Sequence, residues 1–397
     1  MPSVCIVGLG YVGLPLAELC AKQGYIVYAL EKDSKKVEKV QNERPDFHLN
    51  TSDALKADIV VIAVPTPVDE KKVPDLSHVK SVAEQVAKEL DDSGRLVILE
   101  STVNPFVSRN VVLPILEQYG KKVGKDFFLA HCPERIDPGN PDWDVSNIPR
   151  VVGTITEEGL KKAEKFYSEI ISGNVLPLSS IEAAEMVKVY ENSLRAVNIA
   201  FANEMAIVMQ NLKLDVREII QGVKTKPFGL DLCYPGPGVG GHCIGVDPFY
   251  LIDVSVKKGF DPSFLRNAMR VNEYMPIYTV SLLTHALNET GKSVNGTNIG
   301  ILGVSYKKDV GDIRESPSLR VIEKVKGLGG NVKVFDPYVE EHSNAELDEV
   351  LGCEAVLLLT NHSQFEGLDL SKTPVVIDTR NILDKSKMEG VYKGIGR

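Results

Sequence analysis

Continuous apolar runs open the chain. "SVCIVGLG" reads as a short buried strand, and the helical stretch "GLPLAELCAKQG" follows it. "YIVYALEKD", "ADIVVIAVPTP" and "RLVILEST" are further strand-like runs. Such runs, apolar throughout rather than alternating, predict parallel strands covered on both faces. The pattern returns near the C-terminus as "TNIGILGVSYK", "NVKVFDPY", "CEAVLLLTNH" and "PVVIDTRN". The two ends read as related α/β units, a weak internal repeat in strand pattern rather than identity.

Between them the texture changes. From Ile181 no Pro or Gly occurs until Gly222, and apolar positions recur at helical spacing, which predicts a long helix and a shorter follower. Another helix is predicted over 262–290, after Pro262. The expected fold class is α/β: two Rossmann-like doubly wound domains, residues 1–180 and 291–397, joined by a helical central domain, 181–290, built on one long helix. That helix is a natural surface for a homodimer.

Composition narrows the function classes. The 397 residues carry a net charge of −9, so a nucleic-acid role has no electrostatic support. No stretch approaches the ~18 apolar residues of a membrane span. The first strand starts at once, which leaves no room for a signal peptide. Six cysteines are scattered, with no C-x-x-C pair, so neither a zinc site nor a disulfide framework is expected and a reducing cytoplasm fits best.

Two stretches carry chemistry. "GLGYVG" places Gly8, Gly10 and Gly13 in the G-x-G-x-x-G spacing, after a strand and before a helix. The glycines permit a tight turn and close approach of a pyrophosphate, and the helix start offers N–H donors. Glu31 ends the second strand, 18 residues after Gly13, where a carboxylate receives the ribose hydroxyls and repels a 2′-phosphate. NAD is therefore expected over NADP.

The second stretch is "YPGPGVGGHCIGVDP", in which five glycines and three prolines surround Cys243, with Asp247 four residues on. A thiol there can be a nucleophile, a metal ligand or an inert turn residue. His242 beside it invites a metal, but no second ligand pair has suitable spacing. Lys188 and Asn192, four apart in the long helix, project from one face.

With these segments in place, the sequence resembles the nucleotide-sugar (UDP-glucose/GDP-mannose) 6-dehydrogenase family, and within it the UDP-N-acetylglucosamine and UDP-N-acetylmannosamine 6-dehydrogenases. "GLGYVGLPLA", "VPTPVDE", "STVNP", "CPERIDPGN", "EMVKVYEN", "TKPFG", "PGPGVGGHCIGVDP" and "GVSYKKDVGDIRESP" carry the resemblance, in order, over nearly the whole chain. It implies oxidation of a sugar C6 alcohol to a carboxylate with two NAD+ reduced per sugar, and Cys243 as the nucleophile of the second oxidation. Lys188 would steady oxyanions, Asn192 would hold the reacting oxygen or a water, and Asp247 would position Lys188 and the hydrolytic water. Thr102 and Glu134 would serve proton transfer and water activation.

For the cofactor the resemblance implies Gly8, Gly10, Tyr11, Val12, Gly13, Glu31, Pro65, Thr66 and Thr102. For the UDP-sugar it implies Glu134, Arg135, Lys188, Asn192, Tyr234, Gly240, Lys307 and Arg314. Lys307 and Arg314 precede a helix predicted to start at Ser316 with Pro317 at its first position, and cations beside an uncapped helix start suit a diphosphate.

The match departs from the family in two places. The stretch from Glu31 to "ADIVVIAV" is short by a couple of dozen residues, so the rim of the cofactor cleft is expected to differ from the family's. Pro138 stands where UDP-glucose dehydrogenases carry a second glutamate, which points to the acetamido-sugar branch. "TKPFG" and "PERIDPGNPD" lean toward the gluco epimer. Two other readings remain: a two-electron β-hydroxyacid-type dehydrogenase, which needs neither the cysteine nor the second α/β unit, and a catalytically silent nucleotide-binding protein.

Overall fold

The computed structural model describes residues 1–69, 72–137, 140–241 and 243–397. The chain folds as two compact units: Met1–Glu191 with Phe249–Phe260, and Asn192–Pro248 with Asp261–Arg397.

The first unit begins β1 (Ser3–Val7), α1 (Gly13–Lys22), β2 (Ile26–Leu30), α2 (Ser34–Glu43), β3 (His48–Leu49), β4 (Ile59–Ile62) and α3 (Ser77–Glu89). It continues β5 (Arg95–Leu99), α4 (Leu113–Leu116), β6 (Phe127–His131), β7 (Arg150–Thr154), α5 (Glu157–Ile170) and β8 (Val175–Pro177). The sheet order is β3-β2-β1-β4-β5-β6-β7-β8. All pairs are parallel except β6 with β7. Val4, Ile6, Val61 and Ile98 enter one buried cluster, while Cys5, Val7, Val60, Ile62, Val97 and Leu99 enter the other. Alternate residues of the apolar runs thus fill opposite faces, as a doubly covered parallel sheet requires. The strand order reverses between β1 and β4, which opens a crevice beyond their C-terminal ends.

Four helices follow: α6 (Ile181–Asn211), α7 (Val216–Lys224), α8 (Asp247–Lys257) and α9 (Ser263–Glu289). α6 is uninterrupted because no Gly or Pro breaks it, and α7 starts on Asp215, whose side chain accepts from the Arg217 N–H.

The second unit closes with β9 (Asn298–Leu302), α10 (Pro317–Gly327), β10 (Asn331–Phe335), α11 (Leu347–Leu351), β11 (Ala355–Leu358), β12 (Val375–Asp378) and β13 (Val391–Gly394). Its sheet, β10-β9-β11-β12-β13, is parallel throughout and reverses between β9 and β11. Each half of the chain therefore presents its own strand-end crevice. Pro138 and His242, singled out in the sequence, lie outside the described residues. Among those described, no helix is long and apolar enough to cross a membrane.

Candidate active site

The first unit gathers the cofactor candidates at its strand ends. Gly8 has φ +97°, and a Cβ on it would fall 2.7 Å from the Ala63 carbonyl oxygen. Only glycine fits there. Gly10 has open space on its Cβ side, and α1 has no side-chain cap. An approachable turn and an uncapped helix start fit a pyrophosphate. Tyr11 is exposed, and Val12 stands at the N-cap of α1.

Glu31 is held by its surroundings. Its Oε2 accepts from the Leu9 N–H at 2.9 Å, and its Oε1 from the N–H groups of Lys32 and Asp33 at 2.8 and 3.1 Å. Asn50, at φ +50°, clamps the Glu31 backbone on both sides: the Glu31 N–H donates to Asn50 Oδ1 and Asn50 Nδ2 donates to the Glu31 carbonyl, each at 3.0 Å. A pocket lined by Glu31, Lys32, Ser34, Glu38 and Asn50 lies beside it. The abbreviated segment thus buttresses the acidic strand end with one side chain, which sequence reasoning missed because Asn50 sits in an unpatterned polar stretch. Pro65 is exposed, Thr66 Oγ1 donates to the Thr102 carbonyl at 2.7 Å, and buried Tyr250 donates to the Thr66 carbonyl. These contacts fix the loops after β4 and β5.

Glu134 follows β6 and is 2 % exposed. Its Oε1 accepts from the N–H groups of Arg135 and Ile136 at 2.6 and 2.7 Å, and its Oε2 forms an ion pair with buried Arg150. Arg135 forks onto Glu191, with Nε and Nη2 at 3.0 and 2.5 Å from its two oxygens. Lys188 is nearly buried, and its charge reaches Glu100 and His131 in the same unit. Burial, helped by Lys188, holds the His131 imidazole down to about 3, so it is neutral. One turn before Lys188, Glu185 accepts from the Phe106 and Ser108 N–H groups at 2.6 and 2.7 Å. It caps the turn that follows "STVNP". Burial pushes its carboxyl up to about 7.

In the second unit Cys243 sits in a turn whose carbonyl accepts from the Val246 and Asp247 N–H groups at 3.0 and 2.7 Å, and α8 begins at Asp247. Asn192 Nδ2 donates to the buried Asp247 at 2.6 Å. The glycine run is pinned at several points. The Gly241 N–H donates to the Arg314 carbonyl at 2.9 Å, and a Cβ on Gly240 would meet Pro317 Cδ at 2.9 Å. The Gly236 N–H donates to Asn203 Oδ1 at 2.9 Å, Asn203 donates to Asn272 at 3.0 Å, and Asn272 donates to the Ala196 carbonyl at 2.9 Å. This relay, also absent from the sequence reading, had a visible signal: two amides on the apolar faces of helices. Further along, a Cβ on Gly238 would lie 3.3 Å from the Asn272 carbonyl oxygen and 3.4 Å from Pro276 Cδ, a proline inside α9.

Arg314 lies beside α10, with Nη2 2.6 Å from Asp312 Oδ2, and Tyr234 accepts from Lys224 Nζ at 2.5 Å. Lys307 is partly buried in the turn after β9. The helix start differs from expectation, because Ser316 caps it: Ser316 Oγ accepts from the Ser318 N–H at 3.3 Å while donating to the Val304 carbonyl at 2.6 Å. Its hydroxyl serves both bonds at once, so the helix start is not open. Arg380, after β12, was not foreseen: Nε donates to the Leu359 carbonyl at 2.9 Å, and Nη1 would meet a Gly236 Cβ at 2.9 Å.

Three family models match in order along the chain. They are the NAD-binding domain (residues 2–51 and 47–171), the central domain (182–274) and the UDP-binding domain (300–385) of one family. The chain belongs to the UDP-glucose/GDP-mannose dehydrogenase family. Its NAD cofactor follows from that membership, and the crevice just described fits it. Within the family the chain is 32% identical to a UDP-N-acetyl-D-mannosamine dehydrogenase of Methanococcus maripaludis, over 96% of this chain and 93% of that one. It is 31% identical to a UDP-N-acetyl-D-glucosamine 6-dehydrogenase of Pseudomonas aeruginosa, over 98% of each. A solved UDP-D-ManNAc dehydrogenase from Pyrococcus horikoshii superposes with a TM-score of 0.92 at 30% identity, covering 100% of this chain and 99% of that one. The protein is thus an NAD-dependent nucleotide-sugar 6-dehydrogenase.

Proposed function

We propose that this dehydrogenase oxidises the C6 alcohol of a UDP-N-acetylhexosamine to the uronic acid in two steps, with Cys243 as a covalent nucleophile. One observation carries the reading: Cys243 stands in a turn tied to the Arg314 segment at one end and, through Asp247, to Asn192 at the other. A bystander thiol has no need of such anchoring. The names of the similar proteins support the acetamido-sugar branch, with the gluco and manno epimers as its two members.

Bound NAD+ supplies a hydride acceptor for each oxidation. This chain's residues do the rest. As C6 of the alcohol loses hydride, its hydroxyl proton passes to a base, a step to which Thr102 contributes a polar relay. The Cys243 thiolate adds to the resulting aldehyde carbon and forms the C–S bond of a thiohemiacetal. Loss of the second hydride from that carbon, with the oxygen present as the oxyanion, leaves a thioester. Water then adds to the thioester carbonyl, the C–S bond breaks, its electron pair returns to sulfur as the thiolate, and the carboxylate leaves with release of two protons. The Lys188 ammonium steadies the oxyanion at each addition, Asn192 holds the oxygen, Asp247 orients Asn192, and Glu134 serves the water. Lys307 and Arg314 offer cations to the diphosphate, while Tyr234, Arg135 and the glycine at 240 border the sugar and nucleotide.

The segments divide the labour: 1–180 for NAD, 181–290 for the helices, 291–397 for the nucleotide. A homodimer fits the helices. Leu194, Phe201 and Val208 of α6 are 50%, 66% and 37% exposed at seven-residue spacing. Such a stripe suits burial against a second copy.

Counting NADH formed per UDP-sugar consumed tests the function. Two NADH and an acid are expected. Cys243→Ser should yield one NADH and an aldehyde; a wild-type ratio of one, or undiminished acid from the serine variant, removes the covalent route.

A further inference from the structure

Arg150 opens β7 with a fully buried side chain, an expensive place for a charge. Its Nη1 pairs with Glu134 Oε2 and lies 3.9 Å from Glu100 Oε1. Tyr167 donates to that Glu100 oxygen at 2.5 Å, and the guanidinium carbon lies 5.8 Å from the Tyr167 ring centre. Glu100, Glu134, Arg150 and Tyr167 are all buried, and all belong to the first unit. Burial works against the Arg150 charge, yet Glu134 and then Glu100 more than restore it. Burial also drives Glu100 up to about 7 against the pull of Arg150. Glu134 is the carboxylate in direct contact with the cation.

The contacts divide the two carboxylates. The guanidinium meets Glu134 Oε2 directly through Nη1, whereas Glu100 Oε1 stands 3.9 Å from it. The carboxylate held closest is therefore Glu134, by a charge-assisted contact. The other oxygen of that carboxylate is held by two consecutive backbone N–H groups. Both oxygens of Glu134 are therefore fixed from opposite sides.

We propose that Arg150 is a positioning residue that locks Glu134 as a stationary anion in the segment 132–136, so that Glu134 acts on the hydrolytic water by orientation rather than by swinging to carry a proton. The inference rests on the covalent reading above. Glu100 and Tyr167, bonded to each other, complete the buried cluster around the guanidinium.

Three variants test it: Arg150→Met, Arg150→Lys, and Arg150→Met with Glu100→Gln, the last relieving the loss of balance should the first not fold. Two readouts are followed. Hydrogen exchange of the Arg135 and Ile136 amides reports the lock directly and does not depend on turnover. Intact mass after mixing with NAD+ and UDP-sugar reports a sugar adduct on the enzyme. In a folded methionine variant these amides should exchange about tenfold faster or more. Acid release should slow by about tenfold or more, with adduct accumulating and NAD+ affinity kept. The lysine variant, which keeps the charge, should restore part of both. Unchanged amide exchange, or acid released at the wild-type rate without adduct, overturns the proposal. A wild-type enzyme that forms acid with no adduct under any condition sinks the covalent reading instead, and the amide exchange still decides the lock.

Discussion

The Asn192 amide donates to Asp247 Oδ2 at 2.6 Å, so the helix that presents Asn192 is latched to the residue that opens α8. Asp247 lies four residues beyond Cys243, and its own N–H is bonded to the Cys243 carbonyl. Asp247→Ala removes the acceptor and leaves the amide of Asn192 to turn. The expected result is a fall in kcat of about a hundredfold with little change in the KM for NAD+. Steady-state kinetics with each substrate varied will show whether the loss falls on kcat alone.

The Glu31 clamp makes a prediction about cofactor choice. Three backbone N–H groups fix the carboxylate, and Asn50 fixes the peptide that carries it. Asn50→Ala should raise the KM for NAD+ by about tenfold, the worth of an oriented charge-assisted contact. Glu31→Ser should admit NADP+ by removing the repulsion of a 2′-phosphate. Rates with both cofactors decide it; an Asn50→Ala enzyme with wild-type KM would show the clamp to be dispensable.

Stability should depend on pH in two opposed ways. His131 in the folded protein sits at about 3, below its usual 6.5, so the unfolded chain binds more protons between these values. Its contribution to stability therefore falls as pH drops from 6.5 toward 3, by on the order of 5 kcal/mol. Glu100 and Glu185 sit at about 7 against a usual 4.5, so there the folded chain holds more protons. Their ionisation lowers stability as pH rises from 4.5 to 7. Between 4.5 and 6.5 the two carboxyls outweigh the one imidazole, so stability rises as pH falls toward 4.5, and below 4.5 His131 acts unopposed by them. Denaturant unfolding across pH should show a maximum near 4.5 followed by an acid limb, and His131→Gln should lift that limb.

His362 ties together the turn that carries Lys307. Its Nδ1 accepts from the Asp309 N–H at 2.9 Å, so Nε2 carries the proton and points at Asp336 Oδ2, 3.1 Å away. Ser305 Oγ lies 3.1 Å from the same nitrogen. Burial would raise Asp336, but His362 and the Ser305 and Val304 N–H groups bring it down to about 2. His362→Phe fills the space without the bonds. It should cost about 1–3 kcal/mol and raise the KM for the UDP-sugar but not for NAD+. A melting curve and paired KM values check both halves.

What was legible in the sequence was whatever depends on neighbours along the chain. The absence of Gly and Pro from 181 to 211 set α6, and the doubly apolar runs set β1, β4 and β5 with cores on both faces. Ser316 and Pro317 marked the start of α10, although the same serine closes the helix end expected to be open. The rest depends on residues brought together from afar. Arg150 reads as an ordinary charge at a strand start until Glu134 and Glu100, 16 and 50 residues earlier, surround it. Asn203 and Asn272 carry no message until one is seen to hold the other. Arg380 is one polar residue after a strand until Gly236 passes beside it.

Pro276 in α9 cannot donate to the carbonyl of Asn272, four residues back, and that carbonyl is the one Gly238 approaches. The helix has given up regularity at the place where the cysteine loop lies against it. A helix former at 276 would restore a donor to the Asn272 carbonyl and alter the surface against which Gly238 lies. Selection for heat resistance alone would favour that change, and selection for turnover would reverse it. A hardier protein with a poorer enzyme is the expected product of improving this helix.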